Sequence, residues 1–427
     1  MAAILRRKLP SLPSLLPRIR PFSALPEPES EFHQTPDGTD PTPPSDTKHP
    51  LLRLQLAIRS ESDPERVADL FLSSRHVHQF HSSRPLFSLT VRKLSHARRP
   101  DLIRRILDPF LTDPNSPKVE GFLARILTLY SSAGLLDAAK EAFLRPSPFT
   151  KSDLSLSALL SGYLHNGRYD ELKSTFEEAA SKFNISPGTV SHNILLNGMC
   201  ENGEIEAARK LLDEMSKGEN NLPEPSIISY NTVLCGYLKQ GKEEQFDQIL
   251  KEIEDRDLEM NVVTFNCRIS RFCKKGESFK AEELFDVMCS RGIQPSVSTF
   301  YHLIQGYCKE NNLNSAIGMF KKMKAAKRRS GSDGVSPNAD IYNMLIKNLI
   351  EKAQFDDALW ICVESMGRKS LLPFEDVKCI VEGLVKESKV EKAKYLVEKM
   401  RKVLKGEARD AWEKIIGDVF EATASSQ

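Results

Sequence analysis

One phrase returns about every 35 residues along this chain. It reads SHNILLNGMCENGEIEAARKLLDEM from Ser191, SYNTVLCGYLKQGKEEQFDQIL from Ser229, TFNCRISRFCKKGESFKAEELFDVM from Thr264 and TFYHLIQGYCKENNLNSAIGMFKKM from Thr299. A period of this length is typical of stacked copies of one small unit, each of which buries its apolar face only against its neighbours. The repeat therefore constrains the fold more than the length of 427 residues does.

Each repeated phrase is predicted to form two helices joined by a tight turn. Apolar residues recur at steps of three and four, which indicates amphipathic helices. A glycine separates the two halves, and glycine favours the left-handed conformation that closes a helix. The glycines at this place are Gly134, Gly167, Gly203, Gly241 and Gly276.

The unit boundaries follow by counting outward from the clear phrases. Units are predicted to start near residues 84, 120, 153, 189, 227, 262, 297, 339 and 374, and a weaker unit covers 49–83. We therefore expect an all-α solenoid of helical hairpins over residues 49–408, with about nine to ten units. The strongest units cover 189–323.

Both ends of the chain differ in composition from the repeats. Residues 1–22 contain five basic residues and no acid, as is typical of an organellar transit peptide, although a disordered basic tail is the alternative. Residues 23–48 are rich in proline and acids, and we expect a disordered linker. Residues 409–427 are predicted to form a capping helix and tail. Its apolar stripe is Trp412, Ile415, Ile416 and Phe420.

Charge is unevenly distributed, and this limits the partners. Outside the leader the chain is close to neutral, so its generic attraction to phosphates should be modest. The densest basic run lies at residues 321–329. Its candidate phosphate contacts are Lys324, Lys327, Arg328 and Arg329. A solvated helix end and loop is the ordinary interpretation of such a run. No stretch approaches the roughly 18–20 apolar residues of a membrane span.

An asparagine recurs at one position of three successive units. These residues are Asn193, Asn231 and Asn266. An amide offers both a donor and an acceptor, so a row of amides on one face predicts a recognition surface. A single asparagine could equally cap a helix or bind water. An aliphatic residue precedes each asparagine by three positions; these are Val190, Ile228 and Val263.

These units resemble pentatricopeptide repeats of the plain P-type class, which are found mostly in plant organelles. The segment TFNCRISRFCKKGESFKAEELFDVMCSRGIQPS follows that family's pattern of Asn, Cys, Lys, Gly, Ala, Phe, Met and a final Pro with a polar residue. The resemblance implies a right-handed α-solenoid. The openings and ends at 58–71 and 381–400 are similar to those of short mitochondrial members, some of which associate with the plant mitochondrial ribosome. The Trp and Leu-Gly-Tyr markers of tetratricopeptide arrays are not seen in register.

The resemblance also implies how RNA would be read. In this family the fifth and last residues of a unit read one base of single-stranded RNA, and the second residue packs between bases. Carried onto this chain, the reading pairs are Asn193 with Ser226, Asn231 with Asn261, and Asn266 with Ser296. The residues between bases are Val190, Ile228 and Val263. All three pairs resemble combinations that prefer C or U. Later units place Asp340 and Glu375 at the second position, where an acid would repel phosphates.

We therefore expect a non-catalytic RNA-binding solenoid in mitochondrial RNA metabolism or translation, with a short pyrimidine-preferring site. The alternative is a structural component of the mitochondrial ribosome that acts through protein and ribosomal RNA contacts. Segment 20–23 resembles a plant mitochondrial cleavage site, so a matrix location after cleavage near Phe22 is expected. We expect no membrane and no small-molecule substrate as partner.

An enzyme is disfavoured by the motifs. Related proteins that edit RNA carry His-x-Glu and Cys-x-x-Cys zinc ligands, and this sequence contains neither after its last unit. The histidines His76, His78 and His81 have no acidic or cysteine partner at ligand spacing. We expect no cofactor and no metal. Cys200, Cys273 and Cys308 share one place in their units and are interpreted as core residues.

Overall fold

The computed structural model describes residues 50–113, 116–117, 119–145, 149–326, 335–368, 370 and 372–424. The predicted transit peptide and nearly all of the predicted linker precede these residues. Lys327, Arg328 and Arg329 of the basic run also lie outside them. The described residues form α-helices and two short 3-10 turns, and they contain no β-strand. The all-helical solenoid class that the sequence predicts is confirmed.

The helices are numbered in chain order. They are α1 (Pro50–Ser60), α2 (Pro64–Ser73), α3 (Arg84–His96), α4 (Pro100–Leu107), α5 (Pro109–Thr112), α6 (Glu120–Ser132), α7 (Leu136–Leu144), α8 (Asp153–His165), α9 (Tyr169–Phe183), α10 (Thr189–Glu201), α11 (Ile205–Lys217), α12 (Ile227–Gln240), α13 (Glu243–Asp255), α14 (Val262–Lys274), α15 (Ser278–Ser290), α16 (Val297–Lys309), α17 (Leu313–Ala325), α18 (Ala339–Glu351), α19 (Phe355–Gly367), α20 (Phe374–Lys386), α21 (Val390–Val403) and α22 (Glu407–Ala424).

A helix begins at each of the nine residues from which the sequence predicts a unit. The first helix of a hairpin packs against its own second helix and against the first helix of the next hairpin, as α6 does with α7 and α8. The described chain divides into two compact units, an N-terminal unit up to Arg256 and a C-terminal unit from Asp257. Hairpins stack within each unit, so an apolar face that no hairpin could cover alone becomes one core.

The N-terminal unit is anchored by a cluster of aromatic rings. Phe71 and Phe87 meet edge to face at 4.9 Å, and Phe110 and Phe122 meet in the same way at 5.8 Å. The ring of His81 packs 5.6 Å from Phe110, and burial lowers its pKa. His81 is therefore part of the packing. Among the described residues no group of three or more His, Cys, Asp or Glu side chains is placed to hold a metal ion.

From α3 onward, the turn inside a hairpin uses a left-handed residue, whether or not it is glycine. Gly241 and Gly276 have φ of 70° and 73°, as the sequence predicts. At the equivalent position of other hairpins, Asn311, Ala353 and Ser388 adopt φ between 53° and 59°. The turn geometry is thus imposed by the packing of the two helices, and glycine is only the least strained way to meet it.

Helix α22 packs against α20 and α21 at the end of the C-terminal unit. Trp412 and Ile416 are buried, and the Trp412 ring lies 5.9 Å from the ring of Phe374. Arg401 of α21 donates two hydrogen bonds of 2.7 Å to Glu413 of α22. The side chains of Ile415 and Phe420 lie outside the described part of the chain.

The three cysteines in register lie where a core role predicts them. Cys273 and Cys308 are buried and Cys200 is half-buried, all as free thiols. Burial raises the pKa of Cys200 and Cys308 to about 12 and that of Cys273 to about 11. Thiols whose pKa values lie this far above neutral pH stay protonated, so these three are inert packing groups. Within the described ranges, no helix combines the length and the apolar character that a membrane span requires.

Candidate nucleic-acid interface

The three asparagines of the predicted row lie on the first helices of consecutive hairpins. Asn193 is the fifth residue of α10, Asn231 of α12 and Asn266 of α14. The fifth position is shared because each of these helices starts at the first residue of its unit. The three asparagines are therefore aligned because their helices start at equivalent residues, and N-terminal capping residues determine where a helix starts.

Asn193 and Asn266 each accept a hydrogen bond from the third residue of the next hairpin. Ser229 donates its hydroxyl to Asn193 Oδ1 at 2.6 Å, and Thr299 donates its hydroxyl to Asn266 Oδ1 at 2.6 Å. Each hydroxyl also accepts a backbone N–H, from Ser226 at 3.1 Å and from Ser296 at 2.9 Å. One contact thus joins the start of one hairpin to the asparagine of the hairpin before it.

This contact fixes which end of the amide faces outward. The hydroxyl already accepts the capping N–H, so its single proton is available for the amide oxygen. The amide oxygen is then held by the hydroxyl, and the Nδ2 donors point away from that hydroxyl. Asn266 Nδ2 donates to Ser296 Oγ at 3.2 Å, while Asn193 Nδ2 has no protein partner among the described residues. The predicted readers Asn266 and Ser296 are therefore brought together.

The predicted last-position readers are all N-cap residues. Ser226 and Ser296 form capping boxes with the third residues of α12 and α16. Asn261 Oδ1 accepts the N–H of Val263 at 2.9 Å and that of Thr264 at 3.3 Å. This capping role was not predicted, although the S-x-x-S and N-x-x-T spacing is a recognisable capping signal in the sequence. Ser229 and Thr299, which orient the amides, were not predicted either.

Burial separates the predicted positions into two groups. Val190 and Ile228 are each 42 % exposed, as side chains that pack between bases must be. Val263, however, is only 4 % exposed and Asn231 only 3 %. Because neighbouring side chains cover them, Val263 and Asn231 present no surface to a base in this structure. This is a correction to the uniform three-unit row that the sequence predicts.

The preceding hairpins are joined by a carboxylate at the first position of the helix, where the central hairpins use an amide at the fifth. Asp153 accepts the hydroxyl of Ser191 at 2.5 Å and the N–H of Gly188 at 2.9 Å. Glu120 accepts the N–H and the hydroxyl of Ser152 at 2.7 and 2.8 Å. Burial works to raise the pKa of Glu120, but these hydrogen bonds outweigh it and hold the pKa below its usual value. Negative charge therefore occupies the first position of these hairpins.

Later hairpins lose the junction in a different way. Asn343 is the fifth residue of α18, and the third residue of α20 is Asp376. Among the described residues, the buried oxygens Asn343 Oδ1 and Asp376 Oδ2 have no hydrogen-bond partner. An acidic side chain lies where the central hairpins have a hydroxyl, and it makes no hydrogen bond to the amide oxygen. The oriented amide is thus found at the central hairpins, where Asn193 and Asn266 lie.

The described part of the basic run lies on a second helix. Lys324 is near the end of α17, where its Nζ contacts Glu364 Oε1 at 2.8 Å. The asparagines, in contrast, lie on first helices. Lys324 is therefore on a different set of helices from the amide row, and its charge is partly offset by a carboxylate.

Comparison with known sequences identifies the units. Family models of the PPR repeat match residues 154–182, 183–216, 225–269, 260–302 and 291–324. Over these residues the chain consists of pentatricopeptide repeats. The matched residues cover α8 to α17 apart from the connection at 217–224, and they include all three asparagines and their hydroxyl partners.

Several relatives are mitochondrial or ribosomal pentatricopeptide repeat proteins of Arabidopsis thaliana. The small ribosomal subunit protein mL103 (rPPR7) is 27% identical over 387 residues, which span 89% of this chain and 90% of the relative. The small ribosomal subunit protein mS78 (rPPR3a) is 32% identical over 168 residues, or 39% of this chain and 42% of the relative. A mitochondrial pentatricopeptide repeat-containing protein is 24% identical over 364 residues, with 84% and 83% covered.

Solved structures of a maize pentatricopeptide repeat protein, PPR10, are also similar. The crystal structure of the protein alone gives a TM-score of 0.43 at 15% identity, covering 86% of this chain and 60% of PPR10. PPR10 in complex with an 18-nt RNA element gives a TM-score of 0.40 at 19% identity, covering 88% and 53%.

Proposed function

We propose that this protein is a non-catalytic solenoid that binds single-stranded RNA in plant mitochondria, in RNA metabolism or translation, with a preference for pyrimidines. The observation that carries the proposal is the oriented amide. Asn193 and Asn266 each have the oxygen held by a hydroxyl of the next hairpin at 2.6 Å. This leaves both Nδ2 hydrogens of Asn193 for a ligand, and the second Nδ2 hydrogen of Asn266 beside the one donated to Ser296. The C2 carbonyl that C and U share is an acceptor suited to such a donor.

The proposed contact residues are those that the structure leaves accessible. Asn193 with Ser226, and Asn266 with Ser296, serve as readers, and Val190 and Ile228 pack against base faces. Asn231, Asn261 and Val263 of the predicted row act mainly in packing and capping, since two are covered and the third caps α14. Lys324, with Lys327, Arg328 and Arg329, would contact phosphates.

The energy available at these positions limits what the site can do alone. Stacking or bonding one base is worth about 1–3 kcal/mol. Two or three such contacts give roughly 2–9 kcal/mol before the cost of ordering the strand is subtracted. This suits a protein that orients RNA held by a larger assembly better than one that selects a transcript unaided.

The targeting segments complete the proposal. Residues 1–22 would act as a mitochondrial transit peptide, cleaved near Phe22 to release the protein into the matrix, with 23–48 as a linker, 49–408 as the repeat domain and 409–427 as a cap and tail. Support comes from the acid-free leader and from relatives that are mitochondrial. Import of the full chain into isolated plant mitochondria, followed by N-terminal sequencing, tests this point.

Binding of short labelled oligonucleotides tests the RNA proposal. The full chain should bind oligouridylate more tightly than oligoadenylate of the same length at moderate salt. Asn193→Ala and Asn266→Ala should each reduce this preference. Equal affinity for both oligonucleotides, unchanged by either variant, would remove the proposal.

A second function is favoured by one observation. The match to mL103 runs along nearly the whole of both chains, so the architecture beyond the central hairpins is shared with a ribosomal protein. We propose as the alternative that the protein is a component of the mitochondrial ribosome, bound through protein and ribosomal RNA. It should then sediment with a ribosomal particle and leave when that particle is dissociated. Migration with small complexes in both conditions would exclude this function.

A further inference from the structure

Two exposed aromatic rings lie on the second helices of the C-terminal unit. Trp360 is 37 % exposed and Tyr395 is 48 % exposed. Each is the sixth residue of its helix, on α19 and α21, so the two lie one repeat apart. Because α19 and α21 pack against each other, the rings occupy the same face of neighbouring helices. Neither residue belongs to the asparagine row.

Lysine side chains lie over both rings. The Nζ atoms of Lys321 and Lys324 are 5.4 and 5.5 Å from the ring of Trp360. The Nζ of Lys399 is 5.3 Å from the ring of Tyr395. These five residues are called the second-helix surface below. The Trp360 ring is also held edge-on by the ring of Phe320, at 5.8 Å and 90°, so its orientation is fixed from beneath.

Two of the three lysines of the second-helix surface have no ion-pair partner among the described residues. Lys324 is paired with Glu364 at 2.8 Å. Within the described residues, Lys321 and Lys399 have no carboxylate within the 4.0 Å of an ion pair, whereas Asp356 nearby on α19 already contacts two lysines at 2.7 Å. Helix α17 itself contains three lysines and no acidic residue. A polyanion would therefore find two lysines ready to bind it.

We propose that the second-helix surface is an additional binding site for unpaired RNA that does not depend on base sequence. Trp360 and Tyr395 stack on bases, and Lys321 and Lys399 contact the neighbouring phosphates. Exposed rings beside uncompensated lysines are the combination that single-stranded nucleic acids use. An apolar protein partner would have to bury these charges, whereas an acidic protein segment would leave the ring faces unused.

The lysines over the rings do not block stacking. A lysine over an exposed ring is held more weakly than a stacked base, so a base can displace it. The displaced ammonium remains attached beside the base and can then reach a phosphate. The site thus needs no rearrangement of the helices, only rotation of flexible lysine side chains.

The two tryptophans of the chain give a direct measurement. Trp412 is buried against Phe374, so a solute in water reaches Trp360 first. Short oligoadenylate, which the asparagine row should disfavour, is titrated into the full chain while tryptophan fluorescence is recorded. We expect saturable quenching that weakens as salt rises. Trp360→Phe should abolish the quenching.

Lysine variants separate binding from damage to the fold. Lys321→Gln and Lys399→Gln should each lower the slope of log affinity against log salt by about 1. Lys414→Gln removes the same charge from α22 and should leave the slope unchanged. Asn193→Ala should not alter quenching by oligoadenylate, so the failure of this site and that of the asparagine row can be told apart. Circular dichroism checks that each variant is folded.

Three results would overturn the proposal. The first is the absence of quenching at low salt. The second is quenching that persists in the Lys321→Gln, Lys399→Gln double variant with the salt slope of the original chain. The third concerns sedimentation of the same double variant. If that variant keeps its RNA affinity but no longer sediments with a ribosomal particle, the surface binds protein and the RNA assignment is wrong.

Discussion

The oriented amide can be tested by removing only the hydroxyl that holds it. Thr299→Val keeps the shape of a buried side chain but deletes three hydrogen bonds. They are the 2.6 Å donation to Asn266 Oδ1, the 2.9 Å bond from the N–H of Ser296 and the 3.1 Å bond with the hydroxyl of Ser296. Each is worth about 0.5–1.5 kcal/mol, so the C-terminal unit should lose about 1.5–4.5 kcal/mol of stability.

The effect on RNA follows from the same contact. Without the hydroxyl, Asn266 can present either its oxygen or its nitrogen to the RNA. Bases that offer a hydrogen-bond donor and bases that offer an acceptor should then bind equally well. A bias of about 1 kcal/mol is then lost, which lowers the preference for oligouridylate over oligoadenylate by about fivefold. Affinity for the two oligonucleotides should converge rather than fall together.

The assay is fluorescence anisotropy of both labelled oligonucleotides at one salt concentration, below the unfolding transition of the variant. Thr232→Val is the matched control, because its hydroxyl bonds only the carbonyl of Ile228 in its own helix. Asn266→Ala gives the limit in which the amide is absent. If Thr299→Val is folded and keeps the full preference while Asn266→Ala loses it, the hydroxyl does not orient the amide and the reasoning fails.

Three further predictions follow from the junctions and turns. Glu120→Gln should cost about 1–3 kcal/mol at neutral pH. Because the folded pKa of Glu120 is lowered, this difference should persist above the usual carboxyl pKa and disappear as pH falls through the folded value, which denaturation at several pH values will show. Ala353→Gly should relieve left-handed strain and raise the free energy of unfolding by about 0.5–1 kcal/mol. Gly241→Ala should lower it by about 1 kcal/mol, although the new Cβ meets no atom within 4 Å. Urea midpoints that neither change shifts would contradict this prediction. Asn193→Asp should keep the hydrogen bond from Ser229 and the stability of the fold. Because the new carboxylate repels phosphates, it should lower the affinity for oligouridylate about tenfold. An unchanged affinity, measured by fluorescence anisotropy, would show that RNA does not bind at this position.

Most of the helical architecture could be predicted because its signals are local. Apolar spacing and the central glycine determine where each hairpin begins and turns, so the nine predicted starts coincide with helix starts. Ala353 and Ser388 escaped prediction because they adopt the turn conformation against their own preference. A strain of about 1–2 kcal/mol is smaller than the packing energy of the two helices that impose it.

The candidate site was less predictable because exposure depends on neighbours distant in sequence. The aliphatic residues Val190 and Val263 have the same register and the same side chain, yet one is exposed and the other covered. No local pattern distinguishes them. The hydroxyl contacts could have been found, since a Ser or Thr three residues after each N-cap is a capping signal. Their second role, holding the amide of the preceding hairpin, requires the stacking geometry.

The chemical change along the row of junctions argues for a function beyond packing. Glu120 and Asp153 join the N-terminal hairpins with charge-assisted hydrogen bonds, which are about twice as strong as neutral ones. Asn193 and Asn266 make the corresponding junction with a neutral amide, the weaker choice if stability alone mattered. An amide keeps the junction while removing negative charge and adding outward donors. Both changes favour contact with a polyanion that carries hydrogen-bond acceptors, and neither improves the stacking of the hairpins.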